Sequence, residues 1–329
     1  MTDPYPEEAP AVPQPVILVA DPLDEGVTAD LAADFDLRHC EGADRSALLT
    51  AIPQAAALIV RSATQVDQEI IDAAPALRVV ARAGVGLDNI DVPAATRAGV
   101  KVVNAPESNV VSVAELAVGL ILSSLRHIPA ASASVRRGEW RRSAFQGEEL
   151  CGKTVGVLGF GRIGRLVAAR LAPFDVELLA NDPHIPDSAM AELGVTGAPF
   201  ETLMRRSDIL TVHLPRTPET IGIVSHEALR LARPTLRVVN TSRGGIVDES
   251  ALEVALKEGR IAGAALDVFA MEPPAADSPL LGDTAVLPTP HIGAGTRQAQ
   301  LRAASEIATA VRRILLPTST RTVVRGCSV

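Results

Sequence analysis

The chain has 329 residues, of which 47% are hydrophobic and 2% aromatic, enough aliphatic material for about two domains with buried cores. A formal net charge of −8 excludes general nucleic-acid or anionic-membrane binding as the main role, although local basic clusters can still take small anions. No apolar run reaches the roughly 18 residues of a transmembrane helix, and Cys40, Cys151 and Cys327 are too scattered for a disulfide framework or a metal site, so a soluble cytoplasmic protein is expected.

The first fifteen residues are acidic and Pro-rich and read as a loose leader, not a signal peptide. Residues 15–20 (PVILVA) then predict a strand, 23–33 a helix, 35–39 a strand and 46–51 a short helix. Residues 57–60 form a strand that runs into Arg61. A helix over 67–74 stops before Pro75, and a strand over 77–81 runs into Arg82. A helical turn over 93–98 is capped by Gly99, and 101–104 is another strand. Such alternation is itself a small α/β domain. Residues 108–126 give a very apolar helix, with Ser112 and Glu115 as its capping box and Pro129 beyond its end. Residues 130–149 carry Arg136, Arg137, Arg141 and Arg142 around Trp140 and read as a loop or arm. Cys151 reads as a packing residue ahead of the next strand.

The stretch 154–165, TVGVLGFGRIGR, is the most informative. An apolar strand over 155–158 runs into Gly159, Gly161 and Gly164, spaced GxGxxG. A helix over 165–171 follows, then a strand over 176–180 and Asp182, 18 residues after the last glycine. Gly159 permits a sharp turn, Gly161 lets a pyrophosphate approach the backbone, and Gly164 lets the helix pack close to the strand. The helix N-terminus offers unpaired N–H groups to phosphate. Asp182 sits where a carboxylate accepts from both ribose hydroxyls and repels a 2′-phosphate, favouring NAD over NADP.

The alternation resumes with a helix over 203–207, a strand over 209–214 that carries His213, a helix over 227–231 and a strand over 237–240. A helix over 248–258, strands over 262–269 and 286–288, and a last helix over 296–315 complete the chain. The second array ends near residue 290, and the last helix is free to return to the first domain. Three groups follow strands of this second array. Arg243 can fork onto a carboxylate and polarise a carbonyl. His291 can exchange a proton near neutral pH, and Glu272 can orient it. His213 has packing or cofactor contact as equal readings. His39, His127, His184 and His226 read as structural, and no cluster has metal-ligand spacing. In the first array, Arg61 and Arg82 stand at strand ends, where two guanidiniums suit a phosphate.

GFGRIG, NTSRGGIVDE, ALDVFAMEPP and TPHIGAGT resemble, in order, the signature segments of the D-isomer-specific 2-hydroxyacid dehydrogenase family. IVRSAT, RVVARAGVGLDNID, NAPESNVVSVAE and GEWRRSAFQGEEL are similar to its phosphoglycerate dehydrogenase branch. The resemblance covers nearly everything from residue 15 to about residue 310. It implies a two-domain α/β fold, with a Rossmann nucleotide-binding domain (106–290) inserted in a flavodoxin-like substrate-binding domain (1–105 and 291–329, with 1–14 disordered), a cleft between them, and a homodimer through the nucleotide domain. It implies that Arg243 binds substrate carboxylate and carbonyl, that His291 is the acid/base and that Glu272 is its partner. Arg162, Ile163, Asp182, Thr241 and Asp267 would touch NAD. Val85 and Gly86 would offer N–H groups to the substrate carboxylate, Arg61 and Arg82 would hold a phosphate, and Arg141 or Arg142 would add charge from the same or a neighbouring subunit.

The implied activity is NAD-dependent interconversion of 3-phosphoglycerate and 3-phosphohydroxypyruvate. Reduction of phosphonopyruvate, or of hydroxypyruvate or glyoxylate, stays open. So does a non-catalytic NAD sensor like the corepressors called C-terminal binding proteins. Two departures stand out. Many phosphoglycerate dehydrogenases continue into C-terminal regulatory modules, whereas this sequence stops at Val329, so serine feedback through one is not expected. Gly295 stands where the family more often has serine, which could loosen the wall beside His291.

Overall fold

The computed structural model describes residues 14–316. The acidic leader, apart from Gln14 and Pro15, and Cys327 lie outside the described residues. The chain divides into two compact units, one of residues 14–109 and 297–316 and one of Val110–Thr296. The breaks fall at the first residues of the two longest helices, Val110–Leu125 and Arg297–Leu315.

In the first unit, β1 (Val16–Val19), β2 (Asp36–His39), β3 (Ala57–Val60), β4 (Val79–Arg82) and β5 (Lys101–Asn104) form a parallel sheet in the order β2-β1-β3-β4-β5. That is the flavodoxin-like order. Both faces are covered, which explains the unbroken aliphatic runs. Along β3, Ala57 and Ile59 enter one core cluster while Leu58 and Val60 enter the other. The helix Arg297–Leu315 adds Ala304, Ile307 and Val311 to the first of these clusters. Ile59 is fully buried there, so Ile59→Ala would cost about 2–5 kcal/mol.

The second unit holds β6 (Thr154–Leu158), β7 (Glu177–Asn181), β8 (Thr196–Gly197), β9 (Ile209–Val212), β10 (Arg237–Asn240), β11 (Gly263–Leu266) and β12 (Val286–Pro288), ordered β12-β11-β10-β9-β6-β7-β8 and parallel throughout. The chain runs outward from β6 to β8, then returns to the other side of β6 at β9. This reversal makes the carboxyl ends of β6 and β9 the nucleotide-binding switch point of a Rossmann sheet. Among the described residues no single helix is long and apolar enough to cross a membrane.

Several expectations are corrected. Ser112 is not a cap: it lies inside its helix, and its hydroxyl pairs with Thr296 Oγ1 at 2.7 Å, while Glu115 reaches toward Arg170. The arm begins as a helix, Ile128–Arg136, with Pro129 in its first turn, where a missing N–H costs nothing. Its later part holds a short 3-10 turn, Arg142–Phe145. The helix after the glycine turn starts at Arg162, not at 165. Cys151 is exposed in a turn ahead of β6 and packs no core. The short helix Asp187–Ala191 and strand β8 were not foreseen.

Candidate active site

Parallel strands deliver all their following loops to one edge, so the second sheet gathers its chemistry there. The glycine turn follows β6, Asp182 follows β7 and His213 follows β9. Thr241 and Arg243 follow β10, Asp267 and Glu272 follow β11, and His291 follows β12.

The glycine turn is sterically fixed. Gly159 has φ +93°, and a Cβ on it would lie 2.7 Å from the His213 carbonyl oxygen. A Cβ on Gly164 would collide with the Gly159 carbonyl, so only glycine lets this helix approach the strand. Gly161 differs: a Cβ there would meet no protein atom within 4 Å, so its face is open. The helix Arg162–Leu171 starts at Gly161 with no side-chain cap, leaving its first N–H groups to an anion. Arg162 is exposed and Ile163 half-buried in that first turn. Asp182 accepts the Phe160 N–H at 2.8 Å with one oxygen and the His184 N–H at 2.9 Å with the other. The acid therefore also shapes the glycine turn.

Beside the switch point, two buried polar atoms, Thr241 Oγ1 and His213 Nδ1, have no hydrogen-bond partner among the described residues. Burial pushes the His213 imidazole down to about 3, so the ring is neutral. Its Nε2 lies 2.8 Å from Thr211 Oγ1. An open glycine, an uncapped helix, a carboxylate directly after β7 and two orphaned polar atoms together fit a dinucleotide.

On the other half of the edge, Asn240 organises the Arg243 loop. Its Oδ1 accepts from Ser242 N at 3.0 Å, and its Nδ2 donates to the Arg243 carbonyl at 3.0 Å. Arg243 Nη1 donates to the Ser242 carbonyl at 2.8 Å. A Cβ on Gly244 would overlap the Phe269 backbone, so this loop rests directly on the next one. There Glu272 Oε1 accepts the Phe269 N–H at 3.0 Å, and Glu272 Oε2 stands 2.6 Å from His291 Nδ1. The His291 side chain is 47% exposed, so the ring stays open to a ligand while Nδ1 is anchored. His291 itself has φ +51°. That left-handed backbone is held by Asp267, which is 1% exposed. Asp267 accepts from Thr289 Oγ1 (2.6 Å), Ile292 N (2.9 Å) and Gly293 N (2.8 Å), while its own carbonyl accepts from His291 N (2.9 Å). Asp267 and His291 also line a cavity of about 450 Å³ with Phe269, Glu272 and four prolines. Sequence reasoning missed Asn240, whose polar neighbours are mostly backbone, and Thr289, whose hydroxyl is taken by the carboxylate of Asp267, 22 positions away. A serine in place of Gly295 would bring its Cβ within 3.0 Å of the Ile292 carbonyl.

In the first unit, Arg61 follows β3, and its N–H is held by Asp21 Oδ2 at 2.5 Å and its carbonyl by Asn89 Nδ2 at 2.8 Å. Arg82 ends β4, and its guanidinium lies across Gly84, where any side chain would strike it. Val85 accepts from Asn104 Nδ2 at 2.6 Å. Among the described residues, the Val85 and Gly86 N–H groups donate to nothing. On the arm of the second unit, the Arg142 guanidinium sits 5.7 Å from the centre of the Trp140 ring, and Arg141 pairs with Glu139 at 3.7 Å.

A glycine-turn nucleotide site and an imidazole–carboxylate pair on one edge of a parallel sheet define a dinucleotide-binding protein of Rossmann type. Residues 118–293 match the family model for the D-isomer specific 2-hydroxyacid dehydrogenase, NAD binding domain. The chain is 51% identical over 301 residues, 92% of its length, to a D-3-phosphoglycerate dehydrogenase of Mycobacterium leprae, and 45% identical over 293 residues, 89% of its length, to one of Archaeoglobus fulgidus. It spans 57% and 56% of those two relatives. A solved NADPH-dependent glyoxylate/hydroxypyruvate reductase from Sinorhizobium meliloti, in complex with NADP and malonate, superposes with a TM-score of 0.80 at 32% identity, covering 91% of this chain and 93% of that one. The chain belongs to the D-isomer specific 2-hydroxyacid dehydrogenase family, and its cofactor is NAD.

Proposed function

We propose that the protein is an NAD-dependent dehydrogenase that interconverts D-3-phosphoglycerate and 3-phosphohydroxypyruvate, in the cytoplasm and as a homodimer. The observation that carries the reaction class is the His291–Glu272 pair at 2.6 Å on the carboxyl edge of a nucleotide-binding sheet. The substrate follows from the likeness to named phosphoglycerate dehydrogenases together with Arg61 and Arg82 at strand ends of the first unit. NAD, when bound, accepts a hydride from C2 of the hydroxy acid.

His291 Nε2 takes the hydroxyl proton as the C–H bond breaks, and in reduction it returns that proton to the carbonyl oxygen. Glu272, anchored by the Phe269 N–H, keeps Nδ1 as the bonded nitrogen, leaves Nε2 to the substrate and balances the imidazolium. Arg243 binds the carboxylate and polarises the carbonyl. The N–H groups of Val85 and Gly86 add donors to that carboxylate. Thr241, His213, Asp182 and the Gly159–Gly164 turn hold the cofactor, with Asp182 selecting NAD over NADP. Asp267, although assigned to the cofactor by the family resemblance, has a second task in fixing the His291 loop. Arg141 and Arg142 supplement the charge on the substrate.

A kinetic panel tests this reading. With NADH, 3-phosphohydroxypyruvate should show the highest kcat/KM, ahead of phosphonopyruvate, hydroxypyruvate and glyoxylate. Preference for hydroxypyruvate or glyoxylate would replace the proposed substrate with the one suggested by the reductase from Sinorhizobium meliloti. Tight NADH binding without turnover of any 2-oxo acid would indicate a sensor.

A further inference from the structure

We infer that Arg297 is a second phosphate-binding residue, acting with Arg61 in one cavity of the first unit. This deepens the phosphorylated-substrate reading and rests on it. The cavity holds about 340 Å³ and is lined by Arg61, Arg297, Gln300 and Asp24, over a floor that includes Leu23 and Ala83. That volume lies at the small end of ligand sites, which span roughly 300–1,000 Å³. Arg82, the expected companion of Arg61, is not among the lining residues.

Both lining guanidiniums are uncommitted. Among the described residues, neither the Arg61 nor the Arg297 side chain makes a hydrogen bond or an ion pair. Two like charges sharing a small cavity repel each other, and a surface arginine ordinarily finds a carboxylate or stays in open solvent. An arrangement that keeps both facing one space is relieved by a dianion, which each fork can grip with two charge-assisted hydrogen bonds. The one acid in the wall is already engaged: Asp24 Oδ1 accepts the Gly26 and Val27 N–H groups at 3.0 and 3.2 Å as the cap of the helix Glu25–Ala32.

The placement is rigid on the Arg61 side. Its N–H and carbonyl are both tied, to Asp21 and to the buried Asn89. Arg297 is the first residue of a 19-residue helix whose inner face is packed on the sheet. Gln300 lies three positions along the same helix, so both side chains reach the same space, and its amide adds a neutral donor. Two charges with a neutral donor match a phosphate ester terminus better than the neutral hydroxymethyl end of hydroxypyruvate. Arg297 therefore sets the preference for the phosphorylated substrate.

The test uses the full-length protein with Arg61→Gln, Arg297→Gln and Arg297→Lys. Inorganic phosphate is titrated calorimetrically, and kcat/KM is measured with NADH for 3-phosphohydroxypyruvate and hydroxypyruvate. Arg297→Gln should weaken phosphate binding and lower the ratio of kcat/KM between the two substrates by about 10- to 100-fold, through KM. Arg297→Lys should recover part of that ratio. Equal losses on both substrates, or unchanged phosphate binding in Arg297→Gln, would overturn the assignment. Should the unaltered enzyme fail to reduce 3-phosphohydroxypyruvate, the substrate reading falls separately, and the phosphate titration alone decides the cavity.

Discussion

Asp267 Oδ2 accepts the Gly293 N–H at 2.8 Å, and Oδ1 accepts the Ile292 N–H at 2.9 Å. A single buried carboxylate thus closes both N–H groups of the turn that follows His291. Replacing it by asparagine keeps one oxygen but sets an NH2 group against an N–H donor. Asp267→Asn should destabilise the protein by about 1–3 kcal/mol and lower kcat/KM at least about tenfold, as His291 drifts from its left-handed backbone. Denaturant unfolding together with steady-state kinetics checks both. Wild-type turnover in this variant would mean that the loop keeps its shape without the carboxylate.

His291 and Glu272 act as one unit. His291→Asn should lower kcat by about 10²–10⁴-fold, the range for a general acid/base, while NADH binding, followed by fluorescence, stays near wild type because the nucleotide turn lies on the other half of the sheet. Glu272→Gln should give a smaller loss, since the Phe269 N–H still fixes the side chain and only the charge facing the imidazolium is gone. A Glu272→Gln loss as large as that of His291→Asn would point to a collapsed loop instead.

Much of this was legible in the chain. β3 (ALIV) stood out because a strand buried on both faces is aliphatic without interruption, and β5, β10 and β12 took the bounds expected of them. The glycine turn was legible because steric exclusion at Gly159 and Gly164 leaves no other residue. Non-local partners were not legible. Ser112 looks like a cap until Thr296, 184 positions away, takes its hydroxyl. The helix Ile128–Arg136 has little apolar stripe, since only Ser134 on it is buried and Ile128 and Val135 are exposed, so no period betrays it. The Asp267 cradle bonds mainly to backbone N–H groups, which every sequence possesses. Arg297 reads as one more helical arginine until the fold sets it across a cavity from Arg61.

Asp182, proposed above as the cofactor selector, also braces the Phe160 N–H. Asp182→Ala should therefore raise kcat/KM for NADPH relative to NADH while lowering NADH use about tenfold, the worth of one charge-assisted contact. Parallel assays with the two cofactors measure this. Complete failure of NADPH in the variant would remove Asp182 as the discriminating residue.

His213 links the nucleotide pocket to acid stability. Its ring is held neutral in the fold, with burial pushing it down to about 3, whereas an unfolded histidine takes up a proton near pH 6.5. Between those values the unfolded chain binds one more proton than the folded chain, so acid favours unfolding there. Above about pH 6.5 both states are neutral at this site and nothing is lost; below it, stability falls by up to about 1.4 kcal/mol per pH unit until pH nears 3. His213→Gln removes that proton uptake. The difference in unfolding free energy between wild type and variant should be flat above pH 7 and should slope in favour of the variant from pH 6 to pH 4, measured by denaturant titration at each pH. Parallel curves would mean that the ring charges within the folded protein. A charged ring would need an acceptor for Nδ1, which has no hydrogen-bond partner among the described residues, and the neutral-ring account of this pocket would have to be given up.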